Sequence, residues 1–210
     1  MLEARDVSFG YTKRQTLLTG WSAEFPAAKM TAITGPSGRG KSTLLYLLGL
    51  MLAPASGSVY VDGADTSILT DADKARLRAT AFGFVFQDSA LDQTRTVLDN
   101  VTEVALYRGE NRARLREQAT GLLARFGVDV PADRKPSQVS GGQAQRIALC
   151  RALLTKPQIL LADEPTGNLD PVSAEVVTGA LRDAADNGAT VVIVTHSSDV
   201  AAACDTEIAL

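Results

Sequence analysis

One glycine-rich segment constrains the fold of this 210-residue chain more than any other stretch: Gly35-Pro36-Ser37-Gly38-Arg39-Gly40-Lys41-Ser42-Thr43. It fits the pattern G-x-x-x-x-G-K-[ST], in which glycines allow backbone N–H groups to surround a phosphate. Apolar residues that favour a strand precede it, and a helix-forming run from Leu44 to Leu52 follows it, as the pattern requires. In such a loop Lys41 would contact the β- and γ-phosphates, and the Ser42 hydroxyl would bind Mg²⁺. A glycine-rich turn before a helix, without a ligand, is the alternative that this segment alone leaves open.

Strand and helix patterns alternate on both sides of a helical middle section. Short apolar or β-branched runs predict strands at 2–9, 16–25, 29–34, 58–62, 82–86, 159–162, 190–195 and 206–210. Helical patterns occupy 44–52, 70–79, 96–107, 111–126, 140–155, 170–187 and 198–204. This order predicts an α/β fold with a mainly parallel sheet, whose ligands lie at the carboxyl ends of the strands. We expect one domain, 1–210, with a core at about 1–87 and 156–210 and a helical insertion at about 88–155.

Composition narrows the function classes. The net charge of −3 gives no basic footprint for nucleic acid, so we expect no nucleic-acid partner. Met1 to Gly10 carries charges and lacks a long apolar core, unlike a signal peptide. Leu44 to Ala53 is nearly all apolar, but about ten residues are half of the roughly 20 that cross a bilayer. Any membrane role would therefore come through a partner. Cys150 and Cys204 are far apart and lack metal-ligand spacing, so we expect a reduced, cytoplasmic setting.

Four polar residues follow predicted strands and would therefore lie at the same edge of the sheet as the loop: Gln87, Asp163, Glu164 and His196. Asp163 would hold Mg²⁺ beside Ser42, and Glu164 would orient and polarise the attacking water. His196, the only histidine, would contact the γ-phosphate, and Gln87 would contact the γ-phosphate or Mg²⁺ through its amide. Each has a structural alternative: a helix cap or turn for the acidic pair, a packed or surface histidine, and a polar strand end for Gln87.

A second pair of glycines opens a predicted helix, in the run Ser140-Gly141-Gly142-Gln143. Ser140 and Gln143 have the spacing of a capping box, which would satisfy two backbone N–H groups at the helix start. Consecutive glycines in a first helical turn are costly if only a cap is needed. They are explained if a phosphate must approach the backbone at this helix N-terminus, which predicts a second anion site.

Taken in order, these motifs resemble those of the ATP-binding cassette (ABC) ATPases over essentially the whole chain. The matching segments are Gly35 to Thr43 as the Walker A loop, Gln87 in the Q-loop, Val139 to Gln143 as the signature, Ile159 to Glu164 as Walker B, Asn168-Leu169-Asp170 as the D-loop and His196 as the switch histidine. Val139 replaces the commoner leucine. The resemblance implies a RecA-like P-loop NTPase core with an N-terminal antiparallel β subdomain, and ATP and Mg²⁺ as cofactors. It also implies that Tyr11 stacks on adenine, with an ordinary strand-end aromatic as the alternative.

The resemblance further implies a homodimer or paired cassettes packed head to tail. One copy's Walker A loop and the other copy's Ser140, Gly141 and Gly142 would enclose each ATP, and Gln143 and Asp170 belong to the same expected nucleotide site. Finer matches at Phe84 to Asp88 and Ala162 to Asp170 are similar to the lipoprotein-release, macrolide-export and cell-division cassettes.

The expected function is therefore an ATPase subunit on the inner face of the cell membrane that drives an integral membrane partner. The alternatives are a soluble cassette protein acting on DNA or ribosomes, and a nucleotide-binding regulator without turnover. Four arginines, at 108, 112, 114 and 116, either form a solvated helix face or border the membrane subunit.

Overall fold

The computed structural model describes residues 1–12, 15–131, 133–167 and 169–210. Its strands are β1 (Leu2–Thr12), β2 (Gln15–Phe25), β3 (Lys29–Thr34), β4 (Ser56–Val61), β5 (Ala64–Asp65), β6 (Phe82–Val85), β7 (Ile159–Asp163), β8 (Thr190–Val194) and β9 (Thr206–Ala209). Its helices are α1 (Lys41–Leu48), α2 (Asp71–Ala81), α3 (Val97–Thr102), α4 (Val104–Arg108), α5 (Arg112–Arg125), α6 (Gly141–Leu153), α7 (Pro171–Asp186) and α8 (Ser198–Ala202).

The strands form two sheets of different kinds. Five of them, in the order β6-β7-β8-β3-β9, make a sheet in which every pair is parallel. The other four, in the order β2-β1-β4-β5, make an antiparallel sheet from the N-terminal part of the chain. The predicted fold class is therefore confirmed: a mainly parallel α/β core of the P-loop type with an N-terminal antiparallel sheet. The division into core and helical insertion stays a prediction, and α3 to α6 fall within the predicted insertion.

Both faces of the parallel sheet are buried. Successive residues of β7 enter different clusters: Leu160 packs with the helices of the insertion and α7, whereas Leu161 packs with α1 and the antiparallel sheet. Such burial explains why β7 reads as a continuous apolar run and not as an alternating one. Packing on both faces also holds the carboxyl ends of the strands in fixed positions.

Local sequence signals account for most helix boundaries. Thr70 accepts a hydrogen bond from the Asp73 N–H and starts α2, and Asp170 accepts one from the Ser173 N–H and starts α7. Three predictions need correction. The predicted helix at 96–107 is two helices, because the chain turns at Glu103, and α1 begins at Lys41 and ends at Leu48, before the predicted end. The first strand does not end at residue 9 but continues to Thr12, because its last residues pair with the start of β2.

Two smaller features complete the fold. The short strand β5 is absent from the sequence-based prediction, and it forms because the turn at Asp62 and Gly63 folds the chain back onto β4. Among the described residues, no helix is both long and apolar enough to cross a membrane. Cys150 of α6 is fully buried in the apolar cluster that α6 shares with α3, α5 and α7, and that burial raises the pKa of its thiol to about 12, which makes it an unreactive filler.

Candidate functional site

The carboxyl ends of three neighbouring strands and the loop after β3 surround one cavity of about 500 Å³. The sheet order places β8 beside β3 and β7 beside β8, so the residues that follow these strands meet at one edge. The lining residues are Tyr11, Leu17, Ser37, Gly38, Gly40, Lys41, Ser42, Thr43, Gln87, Glu164, Val194 and His196. The structure thus brings together most of the residues that the sequence predicts for the nucleotide.

The loop holds its lysine with its own backbone. Lys41 is only 8% exposed, and its Nζ donates hydrogen bonds to the carbonyls of Gly35 at 2.7 Å and Pro36 at 3.1 Å. Arg39 lies at the exposed turn of the loop. The ammonium group is therefore folded over the loop, at the place where phosphate oxygens would accept its hydrogen bonds.

Asp163 lies beneath this cavity at the end of β7. It is 1% exposed, and no group in the described parts of the chain hydrogen-bonds to its Oδ1 atom. Burial raises the pKa of the Asp163 carboxyl and the Glu164 charge adds to the rise, while Ser42 and Lys41 lower it. A buried carboxylate oxygen without a partner is costly, and a cation beside Ser42 would remove that cost.

Glu164 and His196 form a pair at the opposite wall. His196 Nδ1 lies 2.8 Å from Glu164 Oε1, and the His196 backbone N–H lies 3.4 Å from Oε2. The glutamate side chain is 13% exposed and the histidine side chain 68%. Glu164 has a φ of 45°, in the left-handed region that a non-glycine residue rarely adopts. Its N–H is held by the Val194 carbonyl at 2.9 Å, so the sheet fixes this strained residue.

Tyr11 and Gln87 stand at the cavity's margins. Tyr11 is 61% exposed, its hydroxyl lies 3.1 Å from Thr43 Oγ1, and its ring meets Phe9 edge-on. An exposed ring at the mouth of the cavity is suitable for stacking on a base, and that role stays a prediction. Gln87 enters from the turn after β6.

The predicted second anion segment lies elsewhere. Ser140 accepts a hydrogen bond from the Gln143 N–H at 3.2 Å, and the Gln143 side chain accepts one from the Ser140 N–H at 2.9 Å, which confirms the predicted capping box. None of residues 140–143 lines the cavity at 35–43. Asp170 is also outside it, and its carboxylate is occupied by Ser173 at the start of α7. Asn168 lies outside the described residues.

Some residues around the site carry no signal in the sequence. Leu17 and Val194 line the cavity through ordinary strand positions. Gln145, from the middle of α6, reaches the turn that contains Gln87 and hydrogen-bonds there to Phe86 and Ser89. Contacts across 56 residues leave no local pattern, and the periodicity of α6 predicts only a packed helix face.

Comparison with known proteins agrees with this geometry. The family model described as ABC transporter matches residues 18–167, more than half of the chain. The lipoprotein-releasing system ATP-binding protein LolD of Myxococcus xanthus is 42% identical over 194 residues, which cover 92% of this chain and 87% of that protein. The macrolide export ATP-binding/permease protein MacB of Burkholderia pseudomallei is 45% identical over 190 residues, 90% of this chain. This chain spans only 29% of that longer protein.

Two solved structures of the cassette MJ0796 are similar over the full chain. The dimeric structure of this bacterial ABC transporter cassette has a TM-score of 0.92 and 33% identity, and covers 100% of this chain and 94% of its own. A dimeric post-hydrolysis state bound to ADP and Pi has a TM-score of 0.91 and 32% identity, with the same coverage.

Proposed function

The chain belongs to the ABC transporter family and is an ATPase of that family, and on this premise we propose that it is the subunit that drives an integral membrane transporter from the inner face of the cell membrane. The observation that carries the proposal is the cavity that Lys41, Gln87, Glu164 and His196 line together. Lys41 for the phosphates, Glu164 for the water, and Gln87 and His196 for the γ-phosphate face the same space. Phosphoryl transfer to water requires groups in these roles.

In this proposal ATP lies along the loop Gly35–Thr43 with its base near Tyr11. Lys41 exchanges its bonds to the Gly35 and Pro36 carbonyls for bonds to phosphate oxygens. Mg²⁺ fits the site, because the Asp163 carboxylate interacts with Ser42 and its Oδ1 atom, among the described residues, is left without a hydrogen-bond donor. Ser42, Asp163 and Gln87 would hold the ion, and its charge would offset the charge of the phosphates.

Glu164 is proposed to orient and polarise the attacking water. The left-handed backbone and the hydrogen bond to Val194 hold its carboxylate at the edge of the sheet, and the His196 ring and backbone N–H contact its two oxygens. His196 is mostly exposed towards the cavity, so it is free to reach the γ-phosphate from the same wall. Strain held by the sheet favours this role over a simple surface turn.

We propose that a second copy of the chain supplies Ser140, Gly141 and Gly142 to each nucleotide. Within the part of one chain that the structure describes, this exposed segment is occupied only by its own capping box. A helix N-terminus with two glycines offers backbone N–H groups to an anion, and the cassette MJ0796 is dimeric in both of its solved structures named above. Asp170 would lie near this contact through the segment that precedes α7.

The membrane partner is proposed to dock in an apolar groove of about 620 Å³ between α2, α4 and the end of β6. Phe82, Phe84 and Phe86 stack along its floor with ring centroids 5.7 and 5.8 Å apart, and Tyr107 on its rim is 66% exposed. A contiguous apolar surface that is open to solvent marks a site of interaction with a protein or another ligand. Of the four arginines in this region, Arg114 and Arg116 are exposed, whereas the Arg108 side chain is 21% exposed and contacts Glu110. Arg112 and Arg116 contact Asp99.

Glu164→Gln tests the ATPase part of the proposal. We expect ATP hydrolysis to fall by roughly 100-fold or more, because the amide cannot accept the water's proton. ATP binding should persist, and ATP should hold the variant as a dimer in size-exclusion chromatography. The matched control is Glu175→Gln, on the exposed side of α7, which should keep wild-type turnover. Unchanged turnover of Glu164→Gln would refute the assigned role.

Tyr107→Glu tests the docking groove. Purification from detergent-solubilised membranes should recover an integral membrane protein with the wild-type chain and much less of it with the variant. Ile68→Glu, at a residue that is 82% exposed in the segment after β5, is the control and should keep the partner. Recovery of ribosomes or DNA in place of a membrane protein would favour the soluble cassette alternative.

A further inference from the structure

The turn that presents Gln87 has an unusual backbone. After β6 the Ser89 N–H donates to the Phe86 carbonyl at 3.0 Å, which closes a turn around Gln87 and Asp88. The next two residues, Ser89 and Ala90, have φ values of 62° and 45°. Two successive non-glycine residues in the left-handed region persist only where the surroundings hold them.

A single buried side chain bridges the two flanks of this turn. Gln145 of α6 is 5% exposed; its Oε1 accepts a hydrogen bond from Ser89 Oγ at 2.7 Å, and its Nε2 donates to the Phe86 carbonyl at 3.2 Å. Both ends of the amide are therefore used, one on each side of Gln87.

Arg151, six residues further along α6, holds the strained pair itself. Its Nη1 donates to the Ala90 carbonyl at 2.7 Å and its Nη2 donates to the Ser89 carbonyl at 2.9 Å. The side chain is 11% exposed, and Glu103 lies 3.7 Å from Nη1. The planar guanidinium fits two carbonyls at a fixed spacing, which a lysine cannot do.

The helix that carries both side chains is packed directly on β6. A Cβ on Gly83 would lie 2.6 Å from the Ala152 carbonyl oxygen, so only glycine allows this approach. The same helix begins at the capping box of Ser140 and Gln143. One rigid helix thus contacts the strand before Gln87, the turn around it and the residues after it.

We propose that Gln145 and Arg151 are positioning residues that hold Gln87 at the nucleotide and tie its position to the helix that begins at Ser140. The proposal rests on the function proposed above, in which Gln87 contacts Mg²⁺ or the γ-phosphate. When the exposed start of α6 contacts a nucleotide bound by a second copy, α6 moves. Gln145 then transmits this movement to Gln87 of its own chain. Neither side chain is among the described residues that line the nucleotide cavity, and Arg151 also lines the groove proposed above for the membrane partner. Their contact with the nucleotide site is therefore through the turn that carries Gln87.

A double-mutant cycle tests this coupling on the full chain, with steady-state ATP hydrolysis as the measurement. Gln145→Leu should lower kcat by about tenfold and change KM for ATP by less than about twofold, because Gln87 is misplaced while the loop at 35–43 is intact. In the Gln87→Ala background, Gln145→Leu should have no further effect. Gln118→Leu, the same change at an exposed position of α5, should leave kcat unchanged in both backgrounds.

Additive losses from Gln145→Leu and Gln87→Ala would overturn the inference and leave the proposed function standing. Full activity of Gln87→Ala would overturn the inference together with the role of Gln87. Failure of the wild-type chain to hydrolyse ATP would count against the proposed function itself.

Rescue by glycine separates positioning from general destabilisation. Arg151→Met should lower kcat, and adding Ala90→Gly should restore most of it, because glycine adopts the left-handed conformation without the arginine's support. Should Gln145→Leu not fold, Ser89→Ala removes the hydroxyl that donates to Gln145 and should lower kcat in the same direction. A lower melting temperature for Arg151→Met that Ala90→Gly repairs without restoring kcat would overturn the positioning role.

Discussion

The glycines in the loop at 35–43 and in the first turn of α6 have different surroundings. A Cβ on Gly35 would lie 2.6 Å from the backbone oxygen of Leu210, and its φ is 143°, so the chain itself demands glycine there. A Cβ on Gly141 would meet no heavy atom of the described residues within 4 Å, and one on Gly142 would meet only a leucine methyl group at 3.5 Å, an ordinary contact. Nothing in the part of the chain that the structure describes explains why residues 141 and 142 are both glycine.

Polar groups differ between the two segments in the same way. Around the loop, the chain supplies Lys41, the buried Asp163 and the pair of Glu164 and His196. At Ser140 the described residues supply only a capping box. The first segment is surrounded by charged and polar side chains that we propose bind and hydrolyse a nucleotide, whereas the second offers backbone N–H groups and space. This contrast suggests one complete half of a site and one complementary half that acts on another copy.

Lys41→Met should produce the largest effect and should act on the loop alone. Methionine fills the buried space but cannot donate to phosphate oxygens, so hydrolysis should fall by roughly 100- to 1000-fold. Binding of a fluorescent ATP analogue to the monomer should be lost. Lys74→Met, on α2, is the control and should bind the analogue normally. Normal binding of the ATP analogue by Lys41→Met would contradict the assignment of the loop to the nucleotide site.

Ser140→Arg should separate the two segments. The bulky side chain blocks close approach at the helix N-terminus, so the ATP-dependent dimer should weaken by about 2 kcal/mol or more. Binding of the analogue to the monomer should stay within about twofold of wild type, since no residue of the loop is changed. Analytical ultracentrifugation with and without ATP measures the dimer, and Ser67→Arg at an exposed serine is the control. An intact ATP-dependent dimer in Ser140→Arg would contradict the two-copy site.

Asp163→Asn should lower ATP hydrolysis and raise the stability of the nucleotide-free chain. A neutral amide is less costly to bury than a carboxylate without a partner, so the free energy of unfolding without nucleotide should rise by on the order of 1 kcal/mol. Hydrolysis should be lost together with a ligand of Mg²⁺. Urea denaturation and turnover assays measure the two effects. A less stable variant would show that Asp163 contributes favourable contacts in the nucleotide-free chain.

The pH dependence of this stabilisation has a definite sign. The folded chain raises the pKa of Asp163 above its ordinary 3.8, so the folded state binds a proton more tightly than the unfolded state. Wild-type stability from this group therefore falls as pH rises through 3.8 to the raised value, and the gain from Asp163→Asn grows over that window. Asp205 behaves oppositely: the Met30 N–H and Arg182 lower the pKa of its carboxyl, so its contribution is present above 3.8 and is lost as pH falls. Asp205→Asn, compared over the same pH series, is the control of opposite sign.

The sequence predicts the strands, the loop and the residues that follow each strand, because these signals are local. Apolar runs locate β3, β7 and β8, and a parallel sheet then brings their carboxyl ends together without further information. The capping box at Ser140 is likewise complete within four residues. The meeting of the loop, Gln87, Glu164 and His196 at one cavity is therefore predictable from the order of the amino acids, and their roles at a nucleotide stay predictions.

The remaining features depend on contacts between distant residues. The left-handed backbone of Glu164 and its contact with His196 arise only when β7 and β8 pair. Gln145 lies on a helix face that looks like any packed face until β6 is placed beneath it. The break at Glu103 has no glycine or proline to mark it, so the local pattern predicts a continuous helix there.

Gly141→Ala should have the smallest effect on the free energy of unfolding, and we expect that effect to be stabilising. The position is helical and the space around it is open, so alanine should stabilise the chain by roughly 0.5–1 kcal/mol. Gly35→Ala should instead destabilise it, since the chain occupies the space that the Cβ would need. If the glycine is kept for a second copy's nucleotide, Gly141→Ala should raise the midpoint of urea denaturation and still lower ATP hydrolysis at saturating ATP. A variant that is more stable and fully active would show that the glycine has no role at the dimer contact. A variant that loses activity but keeps its stability would indicate that the glycine is needed for contact with a second copy and not for folding.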